Sequence, residues 1–156
     1  VLPEAVVDEK ASILVGLDGR KMSKSYGNTI PLSEPEEALR KLIMRIKTNS
    51  LPPEAPKDPD ACTLFQIYQA FATAKEMAAI RERYIQGIGW GEIKQILFEY
   101  LNTRLSEPRQ RFQELLQAPD YIEQILKRGA ARAREHSVPF LYELRQAVGI
   151  RPLCKE

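Results

Sequence analysis

Apolar residues recur at helical spacing along most of the chain. From Leu39 to Ile46 they fall at positions i, i+3, i+4 and i+7, which places them on one face of a helix. Further stripes follow, and a stripe of this period buries one helix face against a core. The residues predicted to face inward are Leu39, Leu42, Ile43, Ile46, Leu64, Phe65, Tyr68, Phe71, Met77, Ile80, Tyr84, Trp90, Ile93, Leu97, Tyr100, Leu101 and Leu105. The pattern predicts a mainly α protein, a bundle of about five or six helices.

Capping residues predict where two of these helices begin. Ser33 with Glu36, and Thr73 with Glu76, have the S/T-x-x-E spacing of a capping box, in which two side chains satisfy free backbone N–H groups. Gly87 is predicted to end the later helix, because glycine disfavours a helix interior. We therefore expect one helix to begin near Ser33 and another to lie between Thr73 and Gly87.

Prolines divide the rest of the pattern. The segment 50–60, SLPPEAPKDPD, is predicted to be an extended surface connection, since proline lacks a backbone N–H and fixes φ. Pro108 is expected to kink or break a helix, and Pro119 to begin the next one. A last helix is predicted around residues 141–148, ending at Gly149.

The first 32 residues do not show the helical pattern. Ser12 to Leu17, SILVGL, is a short run that favours β structure, and the turn dipeptide Asp18-Gly19 closes it. The sequence therefore predicts a short strand-and-loop segment ahead of the helices.

Composition narrows the class of protein without identifying it. With 156 residues and 44% apolar content the chain can bury one core, and a net charge of +2 permits nucleic-acid binding without arguing for it. Cys62, Cys154 and His136 are too scattered for a metal site or a disulfide framework, so we expect no bound metal and a reduced, cytoplasmic protein. No apolar stretch reaches the roughly 20 residues that span a bilayer, and no membrane partner is expected. The chain starts at Val1 without an initiator Met, so we expect it to be cut from a longer protein.

One loop concentrates the side chains that bind phosphate. In GLDGRKMSKSYGN, residues 16–28, Lys21 and Lys24 flank Ser23, and Ser25 follows. Two mobile ammonium groups and two hydroxyls can converge on one polyphosphate if the loop makes a single turn. The loop lacks the G-x-x-x-x-G-K-[ST] pattern of a Walker loop. On charge alone an ordinary solvated loop is the commoner explanation, because surface lysines are frequent.

The order of residues in this loop is more informative than its charge. Lys21-Met22-Ser23-Lys24-Ser25 reproduces the second signature of class I aminoacyl-tRNA synthetases. Together with LRKLIMRIKTNS, PKDPD, FQIYQAFAT, GWGEIKQILFEYL and LRQAVG, it makes the chain resemble the bacterial tryptophanyl-tRNA synthetases. The resemblance covers about residues 1–150 and corresponds to the C-terminal portion of that family.

The resemblance implies a domain organisation and a reaction. Residues 1–32 would be the edge of a Rossmann-type nucleotide-binding core with the KMSKS loop, residues 33–150 a helical tRNA- and anticodon-binding domain, and residues 151–156 a tail. The implied enzyme is tryptophan–tRNA ligase, which activates tryptophan with ATP and Mg²⁺ to tryptophanyl-adenylate and transfers it to tRNA(Trp). The implied partners are ATP, L-tryptophan and tRNA(Trp), with a homodimer as the full-length assembly.

The resemblance also implies roles for the loop residues. Lys21 and Lys24 would be catalytic, because their charges neutralise the leaving pyrophosphate, and the neighbouring serines would donate hydrogen bonds to it. The backbone of Met22 would lie near the adenine, as would Ser12, roughly nine residues before the first lysine, or its neighbour Ile13. The implied ATP-binding set is Lys21, Met22, Ser23, Lys24, Ser25 and Ser12.

The first signature of the family is absent from this chain. That motif is of the His-x-Gly-His type, whereas the only histidine here is His136, followed by Ser-Val-Pro. We therefore expect the chain alone to be unable to form the adenylate. Ser33 stands where the family places a bulky apolar residue, a departure that affects the docking of the loop. A stand-alone helical tRNA-binding module without catalysis is the alternative function, and a helical interaction protein is a more distant one.

A basic cluster near the C-terminus is the candidate tRNA surface. KRGAARAR, residues 127–134, contains Lys127, Arg128 and Arg132, and the two arginines share a helical face at i, i+4. Lys and Arg neutralise RNA phosphates, so a tRNA contact is one interpretation. A solvated helix face, with glutamates nearby, is the other. The same two interpretations apply to Arg104, Arg109 and Arg111.

Overall fold

The described part of the chain consists of an irregular N-terminal segment followed by five α-helices. The computed structural model describes residues 2–6 and 13–150. A short 3-10 turn spans Lys24–Tyr26, and the helices are α1 Glu36–Met44, α2 Thr63–Gln69, α3 Ala74–Gln86, α4 Trp90–Leu116 and α5 Pro119–Ala147. The prediction of a mainly α protein with five or six helices is confirmed. None of the described helices is long and apolar enough to cross a membrane.

The N-terminal segment forms a turn in place of the predicted strand. Within the described part of the SILVGL run, Val15 makes a single antiparallel bridge with Lys21, and no longer ladder follows. The N–H of Leu17 donates to the carbonyl of Asn28 at 3.0 Å, so it is used within the same loop. Because the chain folds back on itself between Val15 and Lys21, an extended strand is not formed in residues 13–17. The first residue of the run, Ser12, lies outside the described residues.

Helix α1 begins later than predicted. Its N-cap is Pro35, with φ −56° and ψ 152°, and its first helical residue is Glu36. No side chain caps this end, because the N-cap proline has no hydrogen-bonding side chain. The chain makes a turn just before it, in which the N–H of Glu34 donates to the carbonyl of Pro31 at 3.4 Å. The predicted capping box of Ser33 and Glu36 is therefore wrong.

Helix α3 begins at the predicted capping box. The N–H of Thr73 donates to Glu76 Oε2 at 2.7 Å, and the N–H of Glu76 donates to Thr73 Oγ1 at 3.4 Å. The hydroxyl of Tyr100 also donates to Glu76 Oε2, at 2.9 Å, which ties α3 to α4. Hydrogen bonds to the Glu76 carboxylate from the backbone of Thr73, from its hydroxyl and from Tyr100 lower the pKa of Glu76 to about 2. Gly87 ends the helix with φ 95°, as predicted.

Two prolines lie inside helices without ending them. Helix α4 continues through Pro108 and α5 through Pro139. A proline removes one i to i−4 hydrogen bond, whereas a helix that continues on both sides keeps its other bonds. Near Pro108 a side-chain contact also spans two helical turns, because Arg109 Nη1 donates to Asn102 Oδ1 at 3.0 Å. A break at Pro108 and a separate last helix are wrong predictions, while Pro119 does begin α5.

The hydrophobic core lies in the unit Val1–Gln110, one of two compact units of the chain. Helices α1 to α4 all contribute to it, and the ring of Phe65 meets that of Tyr84 edge-on at 5.7 Å. The ring centroids of Tyr68 and Tyr100 lie 4.4 Å apart, which confirms their predicted inward orientation. The buried apolar residues are Leu39, Ile43, Ile46, Cys62, Leu64, Phe65, Ile67, Tyr68, Ile80, Tyr84, Ile88, Ile93, Leu97, Phe98, Leu101 and Leu105.

A buried lysine anchors the proline-rich segment. Lys57 is 3% exposed, and its Nζ donates to the carbonyls of Pro52, Pro53 and Ala55 at 2.8, 3.2 and 2.9 Å. The ring of Trp90 lies 5.3 Å from the same ammonium group. These contacts replace water around the charge. The segment is therefore held in place at Lys57 and is more than a loose surface connection.

The second unit, Arg111–Glu156, has no buried side chain among the residues described in it. The residues that line an apolar hollow of about 350 Å³ there are Phe112, Leu115, Leu116, Ile122, Ile125 and Leu126. Helix α5 ends at Ala147, and Gly149 follows with φ 78°, as predicted for the residue after a helix end. The apolar side chains described in this unit are therefore at least partly exposed to solvent.

Mutation distinguishes the Thr73 cap, which the structure contains, from the predicted Ser33 cap, which it does not. Thr73→Ala removes an N-cap acceptor, and we expect it to lower the free energy of unfolding by about 1 kcal/mol. Ser33→Ala is the matched control, because no side chain caps α1, and we expect a change within about 0.5 kcal/mol. Urea unfolding followed by circular dichroism measures both variants. Equal losses would contradict the observed start of α1.

Candidate functional site

The KMSKS residues lie in a tight loop whose backbone folds back on itself. The N–H of Met22 donates to the carbonyl of Leu14 at 2.8 Å, which joins this loop to the residues just before it. The N–H of Leu17 donates to the carbonyl of Asn28 at 3.0 Å, which joins its beginning to its end. Residues 16–28 are termed the lysine loop. Its two ends are therefore held together by the backbone, with the KMSKS residues between them.

Two glycines allow the sharp turns of the lysine loop. Gly19 has φ 82° and Gly27 has φ 61°, in the left-handed region that favours glycine. Between them lies the 3-10 turn Lys24–Tyr26, and the N–H of Gly27 donates to the carbonyl of Lys24 at 3.1 Å. Lys24 and Ser25 are exposed on this turn.

The three cations of the lysine loop differ in their surroundings. Arg20 forms an ion pair with Asp18, Nη2 to Oδ2 at 2.6 Å, and its guanidinium lies 4.4 Å from the centre of the Tyr26 ring. Lys21 and Lys24 are exposed, and neither forms an ion pair with any described residue. Arg20 is thus held by the protein, while the two lysines are available to an anionic ligand.

The hydroxyls of the lysine loop lie next to each other. Ser23 Oγ and Ser25 Oγ are 2.9 Å apart, so one can donate to the other. Hydroxyl protons rotate, and both donors can turn toward a phosphate oxygen. Of the residues predicted to bind ATP, the loop holds Lys21, Met22, Ser23, Lys24 and Ser25. The remaining one, Ser12, lies outside the described residues.

Asn28 holds the lysine loop from inside, a role that the sequence did not reveal. Its side chain is 3% exposed. Oδ1 accepts from the N–H of Ser23 at 2.8 Å, and Nδ2 donates to Asp18 Oδ1 at 2.7 Å and to the carbonyl of Lys21 at 3.2 Å. Only the three-dimensional contacts show this role.

Hydrogen bonds keep the Asp18 carboxyl in its charged form. The amide of Asn28 is the largest cause, and the side chain and backbone of Arg20 add to it, so the pKa of Asp18 falls from 3.8 to about 2. Partial burial of the carboxyl opposes this shift without cancelling it. Near neutral pH, Asp18 is therefore a permanent negative charge that retains Arg20.

The predicted tRNA-binding cluster lies on the exposed surface of α5. Lys127 forms an ion pair with Glu123 at 2.9 Å, one turn away. Arg128 and Arg132 are exposed, one helical turn apart, and form no ion pair with any residue the structure describes. Among the other arginines, Arg104 pairs with Glu76, Arg111 pairs with Glu114, and Arg109 donates to Asn102. Of the cations named here, Arg128 and Arg132 are therefore the more available ones.

The lysine loop and the helices that follow it match a known family. The sequence profile described as tRNA synthetases class I (W and Y) matches residues 2–106, and the chain belongs to this family. The tryptophan–tRNA ligase of Pseudomonas aeruginosa is 54% identical over 153 residues, and that of Xanthomonas axonopodis is 52% identical over 156 residues. These alignments cover 98% and 99% of this chain but 34% and 36% of the relatives, so the chain spans about a third of their length. The resemblance to the bacterial tryptophanyl-tRNA synthetases is confirmed.

Solved structures of tryptophanyl-tRNA synthetases are also similar to this chain. The tryptophanyl-tRNA synthetase of Campylobacter jejuni complexed with ADP and tryptophan is 38% identical, with a TM-score of 0.83, over 95% of this chain and 47% of that chain. A second structure of the Campylobacter jejuni enzyme has a TM-score of 0.79 at 37% identity, over 96% of this chain and 46% of that one. The fold of this chain is therefore that of a part of these enzymes.

The titration of Asp18 tests the hydrogen bonds around it. We expect its pKa to be about 2, below the ordinary value of 3.8. Because the folded pKa is depressed, the contribution of Asp18 to stability is complete above about pH 4 and is lost as the pH falls through the folded value. Carbon-13 NMR of the labelled carboxyl measures this pKa. Asn28→Ala should raise it toward 3.8, and an unchanged value in that variant would contradict the assignment of the shift to the Asn28 amide.

Proposed function

We propose that this chain is the C-terminal portion of a tryptophan–tRNA ligase and that its lysine loop assists the activation of tryptophan with ATP. The observation that carries the proposal is the pair of exposed lysines, Lys21 and Lys24, without an ion pair among the described residues, beside an Arg20 that Asp18 neutralises. Membership of the W and Y family of class I synthetases supports it, as do relatives whose names are tryptophan–tRNA ligase.

In the proposed reaction a carboxylate oxygen of tryptophan attacks the α-phosphorus of ATP. The bond from that phosphorus to the bridging oxygen breaks, and pyrophosphate leaves with the electron pair. Negative charge grows on the leaving group in the transition state, and Lys21 and Lys24 are the proposed catalytic residues that stabilise it. Lysine suits this role because its ammonium group is a compact charge on a flexible stem.

The other residues of the loop are proposed to position ATP. The hydroxyls of Ser23 and Ser25 donate to pyrophosphate oxygens, and the backbone of Met22 lies near the adenine. Ser12 is proposed to contact the adenine as well, on the strength of its position in the sequence. Mg²⁺ is proposed to enter with ATP as part of the substrate. The described residues offer no group of three or more His, Cys, Asp or Glu side chains for a resident ion.

The helical part is proposed to receive tRNA(Trp). In the second step a hydroxyl of its terminal ribose attacks the acyl carbon of tryptophanyl-adenylate, the acyl–phosphate bond breaks, and AMP leaves. The candidate contacts are Lys127, Arg128 and Arg132, and the two arginines are the stronger ones because Lys127 is paired with Glu123. The proposed division remains residues 1–32 for the edge of the nucleotide-binding core, 33–150 for the tRNA-binding domain and 151–156 for the tail. A homodimer and a cytoplasmic location are proposed for the full-length enzyme.

The chain is proposed to act only within the longer enzyme. It spans about a third of its relatives. It also contains no His-x-Gly-His motif, the first signature of class I synthetases. The pockets for tryptophan and for the ribose of ATP are proposed to lie in the part of the enzyme that this chain does not include.

Replacing Lys24 tests the leaving-group role. In the full-length enzyme, Lys24→Ala should slow adenylate formation by on the order of 10²- to 10³-fold, because it removes a charge aimed at the developing pyrophosphate. The Kd for tryptophan should stay within about twofold, since the loop engages only as the reaction proceeds. Single-turnover adenylate formation and equilibrium tryptophan binding measure the two quantities.

The matched control is Lys75→Ala, which removes an exposed lysine of α3 outside the loop. We expect it to leave both quantities within about twofold of the unsubstituted enzyme. Equal losses of rate and tryptophan binding in the Lys24 variant would contradict the proposed role.

The basic cluster is tested by the salt dependence of tRNA binding. Replacing Arg128 and Arg132 together by Ala should lower the slope of log K against log salt by about 2, if each neutralises one phosphate. Nitrocellulose filter binding of tRNA(Trp) to the full-length enzyme gives this slope. The double variant Lys41→Ala/Lys75→Ala removes the same charge from α1 and α3 and should leave the slope unchanged. A slope that the arginine variant does not alter would favour the solvated-face interpretation.

A further inference from the structure

The side-chain amide of Asn28 forms hydrogen bonds to the backbone on both sides of Met22. Its Oδ1 accepts from the N–H of Ser23 at 2.8 Å, and its Nδ2 donates to the carbonyl of Lys21 at 3.2 Å. These two bonds fix the orientation of the peptide groups before and after Met22. The backbone between the two catalytic lysines is therefore set by one side chain.

The same amide connects this backbone to the ion pair of the loop. Asn28 Nδ2 donates to Asp18 Oδ1 at 2.7 Å, and Asp18 in turn holds Arg20 through Oδ2. Both protons of the amide and its oxygen are thus used inside the lysine loop. Arg20 is kept at Asp18, where it does not compete with the lysines for an anion.

Gly16 lets the amide pack against the opposite arm of the loop. A Cβ at this position would lie 2.4 Å from Asn28 Cγ and 2.4 Å from Asn28 Nδ2, closer than real contacts allow. Because the backbone of Gly16 lies this close to the amide, it limits movement of the side chain on that side.

We infer that Asn28 is a positioning residue, which holds the Lys21–Ser25 backbone in one conformation so that both ammonium groups meet the departing pyrophosphate. The inference rests on the proposed function. Asn28 itself does not touch ATP in this scheme, because its side chain is 3% exposed and its polar atoms already have partners within the loop.

The chemistry of the site selects an amide over other side chains. It needs an acceptor toward Ser23 and donors toward Asp18 and the Lys21 carbonyl. A carboxylate would satisfy Ser23 but would place a second negative charge against Asp18. Without the amide, the N–H of Ser23 and the carbonyl of Lys21 would turn to water, and the loop would have to be ordered again in each catalytic cycle.

The direct test is Asn28→Ala in the full-length ligase. We expect kcat for tryptophan-dependent ATP–pyrophosphate exchange to fall about 10- to 100-fold, as expected when catalytic groups are misplaced. The KM for tryptophan should stay within about twofold, because tryptophan does not bind the loop. Hydrogen exchange at the Ser23 amide, followed by NMR, should become about tenfold faster, because the amide loses its acceptor.

The matched control is Asn49→Ala. Asn49 is an exposed asparagine outside the lysine loop, and its Oδ1 accepts from the N–H of Leu51 at 3.1 Å, a side-chain to backbone bond of the same kind. This variant should change neither kcat nor the exchange at Ser23.

A double variant in which positions 18 and 28 exchange their residue types separates the positioning role of Asn28 from a general loss of structure. Asn28→Asp alone should lower kcat at least as far as Asn28→Ala, because two carboxylates then face each other. Adding Asp18→Asn restores a donor opposite the new carboxylate, which can still accept from the N–H of Ser23. In the double variant kcat should therefore recover by about tenfold relative to the single variant. Failure of the double variant to recover would count against the contact between positions 18 and 28 as the source of the effect.

The outcomes distinguish this inference from the function on which it rests. If Lys24→Ala loses adenylate formation while Asn28→Ala keeps kcat within about twofold, the positioning role is overturned and the proposed function stands. If both variants keep the rate of the unsubstituted enzyme, the proposed function fails as well.

Discussion

The lysine loop depends on the amide of Asn28, whose side chain is 3% exposed and makes three hydrogen bonds. Its acceptor faces the N–H of Ser23, and its donors face Asp18 and the carbonyl of Lys21. A buried polar group left without a partner costs about 1–3 kcal/mol, so the arrangement that pairs all three is strongly favoured. Gly16 completes it, because any larger residue there would occupy the space of the amide. The backbone of the loop is thus determined from its interior, while its lysines face outward.

Four cations among the described residues differ in their contacts. Arg20 is neutralised by Asp18 and serves the structure of the loop. Lys57 is buried against three backbone carbonyls and anchors the proline-rich segment. Lys21 and Lys24, with no ion pair among the described residues, keep their charge available to a ligand. A polyphosphate that approaches the loop would therefore meet two mobile charges on a backbone that is already ordered, which is the arrangement an adenylating enzyme needs.

Sequence patterns predicted the structure correctly where the contacts that determine it join residues close together in the chain. The helical period and the Thr73–Glu76 box involve residues within a turn of each other, so both could be predicted. Ser33 and Glu36 have the same spacing, but Pro35 takes the N-cap, and the prediction failed. The strand expected to end at Leu17 failed for a related reason, because a strand needs a partner along its length and the chain turns back too soon. Helices α4 and α5 continue through Pro108 and Pro139, because a proline removes one hydrogen bond while the other bonds of the helix remain.

The letters KMSKS indicated a class I synthetase, and the further segments that resemble the family indicated its tryptophanyl member. The letters could not show which of the neighbouring cations is neutralised, since this depends on Asp18 and Asn28 meeting across ten positions of the chain. No periodicity or cap spacing encodes that contact. The tertiary structure decided it, because hydrogen bonds and ion pairs act over a few ångströms in space, whatever the separation of their partners in sequence.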